Sequence, residues 1–186
     1  MAPAKVLASL VALALPVAAL AAPPAETPAA REQARLCERL ELEAGAAACR
    51  SALALGIGPA RRGPVRELLA KQLVRLERWD ELADLFREAV RRDPADPEAW
   101  QRLGSTLFFA LGQPAEAIAA LEQAVRLDPR AASARLDLGL ALASVRRSAE
   151  AVTAIEEASR LAPGLLEARP AARAALEAAR AGRPWP

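Results

Sequence analysis

A proline recurs along the middle of the chain at nearly constant intervals. Pro94, Pro129 and Pro163 are separated by 35 and 34 residues, and an alanine stands five residues before each of them. Self-similarity at a fixed period of about 20–50 residues is typical of repeat proteins, in which every repeat is one supersecondary unit that buries its apolar face against its neighbours. The period therefore favours a chain of stacked units over a fold built on long-range pairing.

The spacing of other residues indicates what each unit contains. Alanine and leucine dominate the apolar residues, and aromatic side chains make up only 3% of the sequence, so local propensity favours helix over strand. A leucine followed by a small residue recurs in each unit, and another small or apolar residue follows 13 or 14 positions after the leucine. We expect two helices per unit, near residues 64–77, 80–92, 97–111, 114–127, 131–145 and 148–161.

These residues resemble the signature of the tetratricopeptide repeat, in which Trp, Leu-Gly, Ala, Ala and Pro follow one another in fixed order. The matching positions are Trp100, Leu103, Gly104, Ala117, Ala124 and Pro129 in the second unit and Leu138, Gly139, Ala151, Ala158 and Pro163 in the third. Leu73 and Leu142 depart from the pattern, which usually has an aromatic residue there. The resemblance implies an all-α fold, a right-handed α-solenoid of antiparallel helix hairpins.

Small residues in the second unit predict a close contact between its helices. Gly104 and Ala117 on facing helices would let the backbones approach to the short end of the usual interaxial distance of about 8–10 Å. Pro129 ends the second helix because proline lacks an N–H and disfavours helical geometry at Asp128. This unit also has one extra residue between Gly104 and Ala117, which we expect a relaxed helix end to absorb rather than a π-bulge.

The repeats leave segments at both ends of the chain. A terminal element with a polar outer face is needed to close a solenoid, and the alanine-rich amphipathic stretch near the C-terminus is suited to that. The expected segments are a signal peptide at 1–21, a linker at 22–27, a degenerate helical hairpin at 28–62, repeats at 63–96, 97–131 and 132–165, a capping helix at 166–182 and a tail at 183–186.

The N-terminus has the layout of an export signal. Lys5 precedes an uncharged apolar run over residues 6–20, and Ala19-Leu20-Ala21 provides the small residues that signal peptidase requires, so we expect cleavage before Ala22. The alternative is an uncleaved anchor helix, although the run is somewhat shorter than the roughly 20 residues that span a bilayer. The expected location is therefore the periplasm, with attachment to the inner membrane as the alternative.

Export would allow the two cysteines to form a disulfide, because an oxidising compartment preserves disulfides. Cys37 and Cys49 flank Gly45 at a separation of 12 residues. If residues 28–43 and 46–56 form an antiparallel hairpin, the thiols can face each other and form a disulfide. The alternative is a pair of small buried side chains.

The resemblance also implies a binding surface, since the first helix of each tetratricopeptide unit lines the concave face. The groove positions are Lys71, Val74, Gln101, Ser105, Phe108, Phe109, Leu136 and Leu140. Their apolar centre suits an extended or helical protein segment with apolar side chains. The Lys and Asn of the family's carboxylate-binding variant are missing, so we do not expect recognition of an acidic C-terminus. Alternatively, Phe108, Phe109 and Leu140 belong to the core or lie under the C-terminal helix.

Composition argues against several other functions. The sequence has no histidine, which excludes a Ser-His-Asp or Cys-His site, and two cysteines do not complete the usual four-ligand zinc site. Its 25 basic and 23 acidic residues are interspersed, so no nucleic-acid partner is expected. We therefore expect no enzyme activity, no metal and no cofactor.

The function expected from these features is that of a non-catalytic protein-interaction scaffold or adaptor in a bacterial cell envelope. The bacterial assignment rests on fold analogy and on a composition rich in Ala, Arg, Leu and Pro. The alternative is a structural homo-oligomer, whose groove is filled by its own C-terminal helix or by another copy. A membrane is expected as a partner only if the signal segment stays uncleaved.

Overall fold

The computed structural model describes residues 26–185, and all regular elements in this range are helices. They are α1 (Pro28–Arg39), α2 (Leu42–Ala54), α3 (Pro59–Arg75), α4 (Trp79–Arg92), α5 (Pro97–Ser105) with a π segment (Thr106–Ala110), α6 (Pro114–Leu127), α7 (Ala132–Ser144), α8 (Ser148–Leu161), α9 (Leu165–Ala168) and α10 (Pro170–Arg180). The predicted signal peptide, residues 1–21, lies outside the described residues. Within 26–185, no helix is long and apolar enough to span a bilayer.

Local sequence explains where several helices begin. The Thr27 hydroxyl accepts a hydrogen bond from the Ala30 amide at 3.1 Å, and the Asp96 carboxylate accepts one from the Ala99 amide at the same distance. Both are N-caps that satisfy a free helix-end amide. Proline is the first residue of α1, α3, α5, α6 and α10, a position where its missing N–H leaves no bond unmade.

Consecutive helices pair into hairpins, α3 with α4, α5 with α6 and α7 with α8. The first helix of each pair is followed by a residue in the left-handed region, at Glu77, Gly112 and Arg146, and the chain turns there. Each hairpin also contacts the next one along the chain. The described residues therefore form an α-solenoid of stacked hairpins.

Glycines allow the close approach within two of these hairpins. A Cβ added at Gly104 would lie 2.5 Å from Cγ of Leu121 and 3.1 Å from the carbonyl oxygen of Ala117. A Cβ at Gly139 would lie 2.5 Å from Cγ1 of Ile155. Real Cβ atoms do not approach other atoms so closely, so the repeated Leu-Gly pair is required by helix packing.

The expectation of a relaxed helix end in the second unit is wrong. Left-handed Gly112 follows Leu103 by nine residues, whereas the corresponding interval in the other two units is eight. The extra residue therefore lies inside the first helix of the unit. The π segment Thr106–Ala110 absorbs it there, because a π turn contains one more residue than an α turn.

The turn of the N-terminal hairpin also differs from the prediction, which placed helices at 28–43 and 46–56. The chain turns at Leu40 and Glu41, and Gly45 lies within α2. A Cβ at Gly45 would lie 2.5 Å from the carbonyl oxygen of Leu40. This glycine is thus required by the close approach of the preceding turn, not by the turn itself.

A disulfide joins the two helices of this hairpin. Cys37 of α1 and Cys49 of α2 are bonded, with their Cα atoms 4.7 Å apart, and both are fully buried. Both helices pack on α3, and the Leu42 amide donates to Oε1 of Gln72 at 2.7 Å. The cross-linked hairpin is therefore continuous with the repeats.

Two other helix boundaries depart from the expectation. The first helix of the first unit begins at Pro59 rather than near residue 64, so it extends across Gly63 and Pro64. The capping helix expected at 166–182 is divided into α9 and α10. The break falls at Arg169 because a residue before proline disfavours helical geometry.

The hydrophobic core has two parts. The first contains buried side chains from α1 to α6, and the second contains buried side chains from α6 to α10. Phe108 of the π segment packs against both. Trp185, in the predicted tail, is half-buried against the second part.

Candidate functional site

The first helices of the three units, α3, α5 and α7, lie side by side. Arg102 of α5 pairs with Glu67 of α3 at 2.9 Å. The Ser105 hydroxyl of α5 donates to Oδ2 of Asp137 in α7 at 2.6 Å. We call the surface that these helices share the first-helix face.

A cleft of about 550 Å³ opens on this face between α3 and the π segment. Lys71 and Val74 line it from α3, and Ser105 and Phe109 line it from α5 and the π segment. The buried side chain of Phe86, from α4, also contributes to the lining. We call this the first-helix cleft.

Large apolar side chains are exposed on both walls of the first-helix cleft. Val74 is 45% exposed and Phe109 is 57% exposed. The Phe109 ring meets the Phe108 ring edge to face, with centroids 4.8 Å apart, so its base is supported while its outer part meets solvent. Exposed apolar groups that line a concave surface are characteristic of binding sites.

The charged groups around the cleft differ in their partners. Arg75 pairs with Glu41 at 3.2 Å, and Arg102 pairs with Glu67. Lys71 is exposed and has no carboxylate within ion-pair distance among residues 26–185. Oε1 of Glu67 is enclosed without a hydrogen-bond partner. The cleft therefore combines an apolar centre with one unpaired cation and one acceptor that lacks a donor.

Four of the predicted groove residues line the cleft together: Lys71, Val74, Ser105 and Phe109. Gln101 lies further along the first-helix face, where its side-chain amide donates to the Ser133 hydroxyl at 2.9 Å. Phe108 is half-buried between the two parts of the core.

The resemblance predicts Leu136 and Leu140 in the groove, and the structure contradicts that prediction. They are 0% and 2% exposed, and they belong to the same buried cluster as residues of α10. Helix α10 packs on both α7 and α8, and Arg169 at its start pairs with buried Asp137 at 2.6 Å. Burial of Leu140 is the alternative that the sequence left open, whereas burial of Leu136 was not expected.

The sequence reasoning missed Arg102 and Trp79, which also line the cleft. Arg102 precedes Ser105 by three positions and Phe109 by seven, which is the spacing of one helix face. That spacing could have identified Arg102. Trp79 lies at the start of α4, and its position in the cleft depends on how α4 packs against α3 and α5.

The groups with shifted pKa values lie outside the first-helix cleft. Hydrogen bonds from Arg92 and Arg91 lower the pKa of Glu88, and a hydrogen bond from Arg147 lowers the pKa of Glu150. The interspersed arginines and glutamates thus form ion pairs on a solvated face. Within residues 26–185, no group of three or more His, Cys, Asp or Glu residues is placed to hold a metal ion.

Comparison with sequence families identifies the repeats. One tetratricopeptide repeat model matches residues 105–165, and a second tetratricopeptide repeat model matches residues 64–106. Together they match more than half of the 186 residues. No curated protein matches the chain in sequence.

Several solved structures share the fold. MamA superposes with a TM-score of 0.70 at 20% identity, covering 83% of this chain and 82% of that chain. YrrB, described as a TPR protein with an unusual peptide-binding site, gives 0.64 at 24%, covering 84% and 76%. The TPR2B domain of yeast Sti1, solved as a pHsp70 complex, gives 0.56 at 20%, covering 63% and 95%.

Proposed function

Because the chain belongs to the tetratricopeptide repeat family, we propose that it is a non-catalytic interaction scaffold that binds a segment of a partner protein in the first-helix cleft. The observation that carries the proposal is the pair of exposed apolar side chains, Val74 and Phe109, on opposite walls of that cleft. Burying them against a partner would remove apolar surface from water, which is the main driving force of association.

The surroundings of the cleft support a protein segment as the ligand. An extended or helical segment can place apolar side chains between Val74 and Phe109. A carboxylate or carbonyl of the same segment can meet the exposed ammonium group of Lys71. The structures of YrrB and of the Sti1 domain, described as peptide-binding and as a complex respectively, support the same class of ligand.

We place this scaffold in the cell envelope of a bacterium. The signal-like layout of residues 1–21 supports export. A buried disulfide between Cys37 and Cys49 also supports an oxidising compartment, since cytosolic thiols are kept reduced. Fractionation of cells that produce the full chain tests this, because an intact N-terminus in a cytosolic fraction would contradict export.

A second candidate function is that of a structural homo-oligomer. In it, the first-helix face of each chain is covered by the chain's own C-terminal helix and by another copy of the chain. The observation that favours it is the burial of Leu136 and Leu140 beneath α10, because the chain's own C-terminal helix already occupies that part of the face. In this case another copy would fill the cleft beside Phe109. The mass of the mature chain in solution separates the two functions.

Site-specific crosslinking tests the proposed function. A photoreactive phenylalanine analogue at position 109 should yield a discrete adduct with a partner protein in envelope extract, and Lys71→Glu should reduce its amount. The matched control places the same analogue at Leu161, an exposed apolar residue outside the cleft. Equal labelling from both positions would contradict the proposal, and an adduct of twice the chain mass would support the homo-oligomer.

Once the partner is identified, a mutation measures how much Phe109 contributes to binding. Phe109→Ala should weaken binding about tenfold or more, because truncating an aromatic hot-spot residue costs about 2 kcal/mol or more and about 1.4 kcal/mol corresponds to a factor of ten. The unfolding midpoint should stay nearly unchanged, since the side chain is mostly exposed. A large loss of stability with unaltered binding would assign Phe109 to the core instead.

A further inference from the structure

A separate cleft lies among α2, α3 and α4, and it shares no lining residue with the first-helix cleft. Its volume is about 740 Å³, which lies within the range of about 300–1,000 Å³ typical of small-molecule sites. Leu53, Leu69 and Leu85 line it, one from each of the three helices. We call it the arginine cleft, because four guanidinium groups lie around this apolar lining.

Three of these four arginines have carboxylate partners. Arg50 pairs with Glu81 at 3.0 Å, Arg66 with Asp96 at 3.3 Å and Arg92 with Glu88 at 2.7 Å.

The fourth, Arg62, donates to the carbonyl oxygen of Ile57 at 3.1 Å and has no carboxylate within ion-pair distance among residues 26–185. The remaining acid in the lining, Asp93, accepts a hydrogen bond from the Ala95 amide at 3.1 Å. Among the four guanidinium groups, Arg62 is therefore the one without a counter-ion, and Asp93 is held by a backbone amide rather than by a cation.

Unmade hydrogen bonds lie on the same wall. Nε of Arg62 and Nε of Arg66 are enclosed by protein and have no acceptor. Leaving a buried donor without a partner costs about 1–3 kcal/mol, and more for charged groups. A small rotation of Arg62 toward a bound anion would let Nε and Nη donate together, in the two-bond geometry that guanidinium groups form with carboxylates.

Glycine stands at an unexpected place in this wall. Gly63 lies inside α3, where glycine is about 1 kcal/mol less favourable than alanine. Apart from its chain neighbours and the backbone of its own helix, no heavy atom lies within 4 Å of the position that its Cβ would take. Gly63 also precedes Pro64, and a Cβ on the residue before a proline disfavours helical geometry. A larger side chain at this position would enter the space beside the arginine cleft. The absence of a side chain at Gly63 therefore leaves this wall of the cleft open.

From these features we propose that the arginine cleft binds an amphipathic carboxylate, with its aliphatic body among Leu53, Leu69 and Leu85 and its carboxylate on Arg62. The single guanidinium without a counter-ion matches a single negative charge. The apolar lining requires an apolar body, which inorganic anions lack. The site is independent of the cleft in which we place the protein partner.

Titration of the mature full chain with decanoate tests the proposal by calorimetry. We expect one saturable site, with decanol, the uncharged match, binding at least tenfold more weakly. Arg62→Gln should lower the decanoate affinity about tenfold or more, and Gly63→Leu should abolish binding by filling the cleft. Arg61→Gln is the matched control, since Arg61 is an exposed neighbour that does not line the cleft.

Further measurements distinguish two sources of the carboxylate and check that the variants are folded. A short leucine peptide with a free C-terminus, compared with its amide, shows whether a peptide end or a free fatty acid is the better ligand. Circular dichroism checks that each variant folds. If Gly63→Leu does not fold, the affinity of Arg62→Gln alone tests the proposal. Unsaturable decanoate binding, equal affinity for decanol, or wild-type affinity in Arg62→Gln would each overturn the proposal.

Discussion

At the scale of single residues, one small side chain fixes the distance between two helices. Gly104 meets Leu121 and the backbone of Ala117 so closely that a Cβ cannot enter without displacing α6. In the first unit Ala70 stands at the equivalent position, so α3 and α4 accept a methyl group where the other hairpins do not. The Leu-Gly pair of the repeat is therefore a packing requirement with a direct test.

Two glycines inside helices give a matched pair of substitutions. Gly104→Ala should lower the free energy of unfolding, because overpacking of about 1–3 kcal/mol exceeds the helix-propensity gain of up to about 1 kcal/mol. Gly63→Ala should lower it less than Gly104→Ala does, because no neighbouring helix crowds the new methyl group and only the geometry before Pro64 opposes the gain in helix propensity. Urea unfolding measures both. Losses of equal size would contradict this difference in packing.

At the scale of elements, the π segment accommodates one additional large residue. Counted from the left-handed residue that follows the helix, Phe109 corresponds to Val74 of the first unit and Phe108 to Leu73. Counted from the Leu-Gly pair, Leu107 also corresponds to Leu73. The π segment thus provides two core side chains, Leu107 and Phe108, where the other units have one, while Phe109 keeps its place on the first-helix face.

Deleting Phe108 should convert the π segment into a regular α-helix. The unit would return to 34 residues, Leu107 would keep the core position, and Phe109 would remain in the first-helix cleft. We expect partner binding to persist and stability to fall by less than the about 3–5 kcal/mol that loss of a fully buried phenylalanine costs, because Phe108 is only half-buried. A structure of the variant checks the helix, and a Phe109 turned away from the cleft would contradict this account.

The disulfide between Cys37 and Cys49 should stabilise the N-terminal hairpin. The bond closes a loop of 12 residues, and loops of about this size are stabilised by about 2–4 kcal/mol. The double variant Cys37→Ala with Cys49→Ala should therefore unfold at a lower temperature than the oxidised chain. Adding reductant should lower the wild-type midpoint but not that of the variant. Equal midpoints for all of these samples would show that the bond contributes no stability.

The helices and their hairpin pairing could be predicted from the sequence because each unit repeats its own local signals. The helices at 97–111 and 114–127 were expected close to where the structure has them. The turn near Gly45 could not be placed from the sequence. A glycine that ends a helix cannot be distinguished there from a glycine inside a helix that allows a neighbouring carbonyl to approach closely. The π segment was missed because a one-residue excess does not reveal whether a helix end or a helix interior absorbs it.

At the scale of the whole molecule, the C-terminal helix determines which part of the first-helix face is open. The cleft between α3 and the π segment is open, whereas Leu136 and Leu140 of α7 are covered. The alanine stripe of α10 predicted an amphipathic helix. It could not predict that α10 would cover α7, since that depends on the ion pair between Arg169 and Asp137 and on the chain turn before it.

Removal of the cap should expose this covered surface. A chain ending at Ala168 lacks α10 and the Arg169 partner of Asp137, so it should lose stability and self-associate through Leu136 and Leu140. Light scattering after gel filtration and urea unfolding measure the two effects. A chain ending at Trp185 is the control, because it keeps both α10 and the tryptophan that packs on the core. If the shorter chain stays monomeric and equally stable, α10 is not a required cap.

The two ends of the solenoid are closed in different ways. A disulfide joins the two helices of the N-terminal hairpin, whereas the C-terminal helix is held by apolar side chains and by ion pairs of Arg169 with Asp137 and of Arg180 with Glu156. Because each hairpin rests mainly on its neighbours, loss of structure that starts at one end can travel along the array. Fraying should therefore start at the C-terminus and move inward. A protease or unfoldase that engages the C-terminus would unfold the repeats one after another. An enzyme that engages the N-terminus would first encounter the hairpin cross-linked by the disulfide.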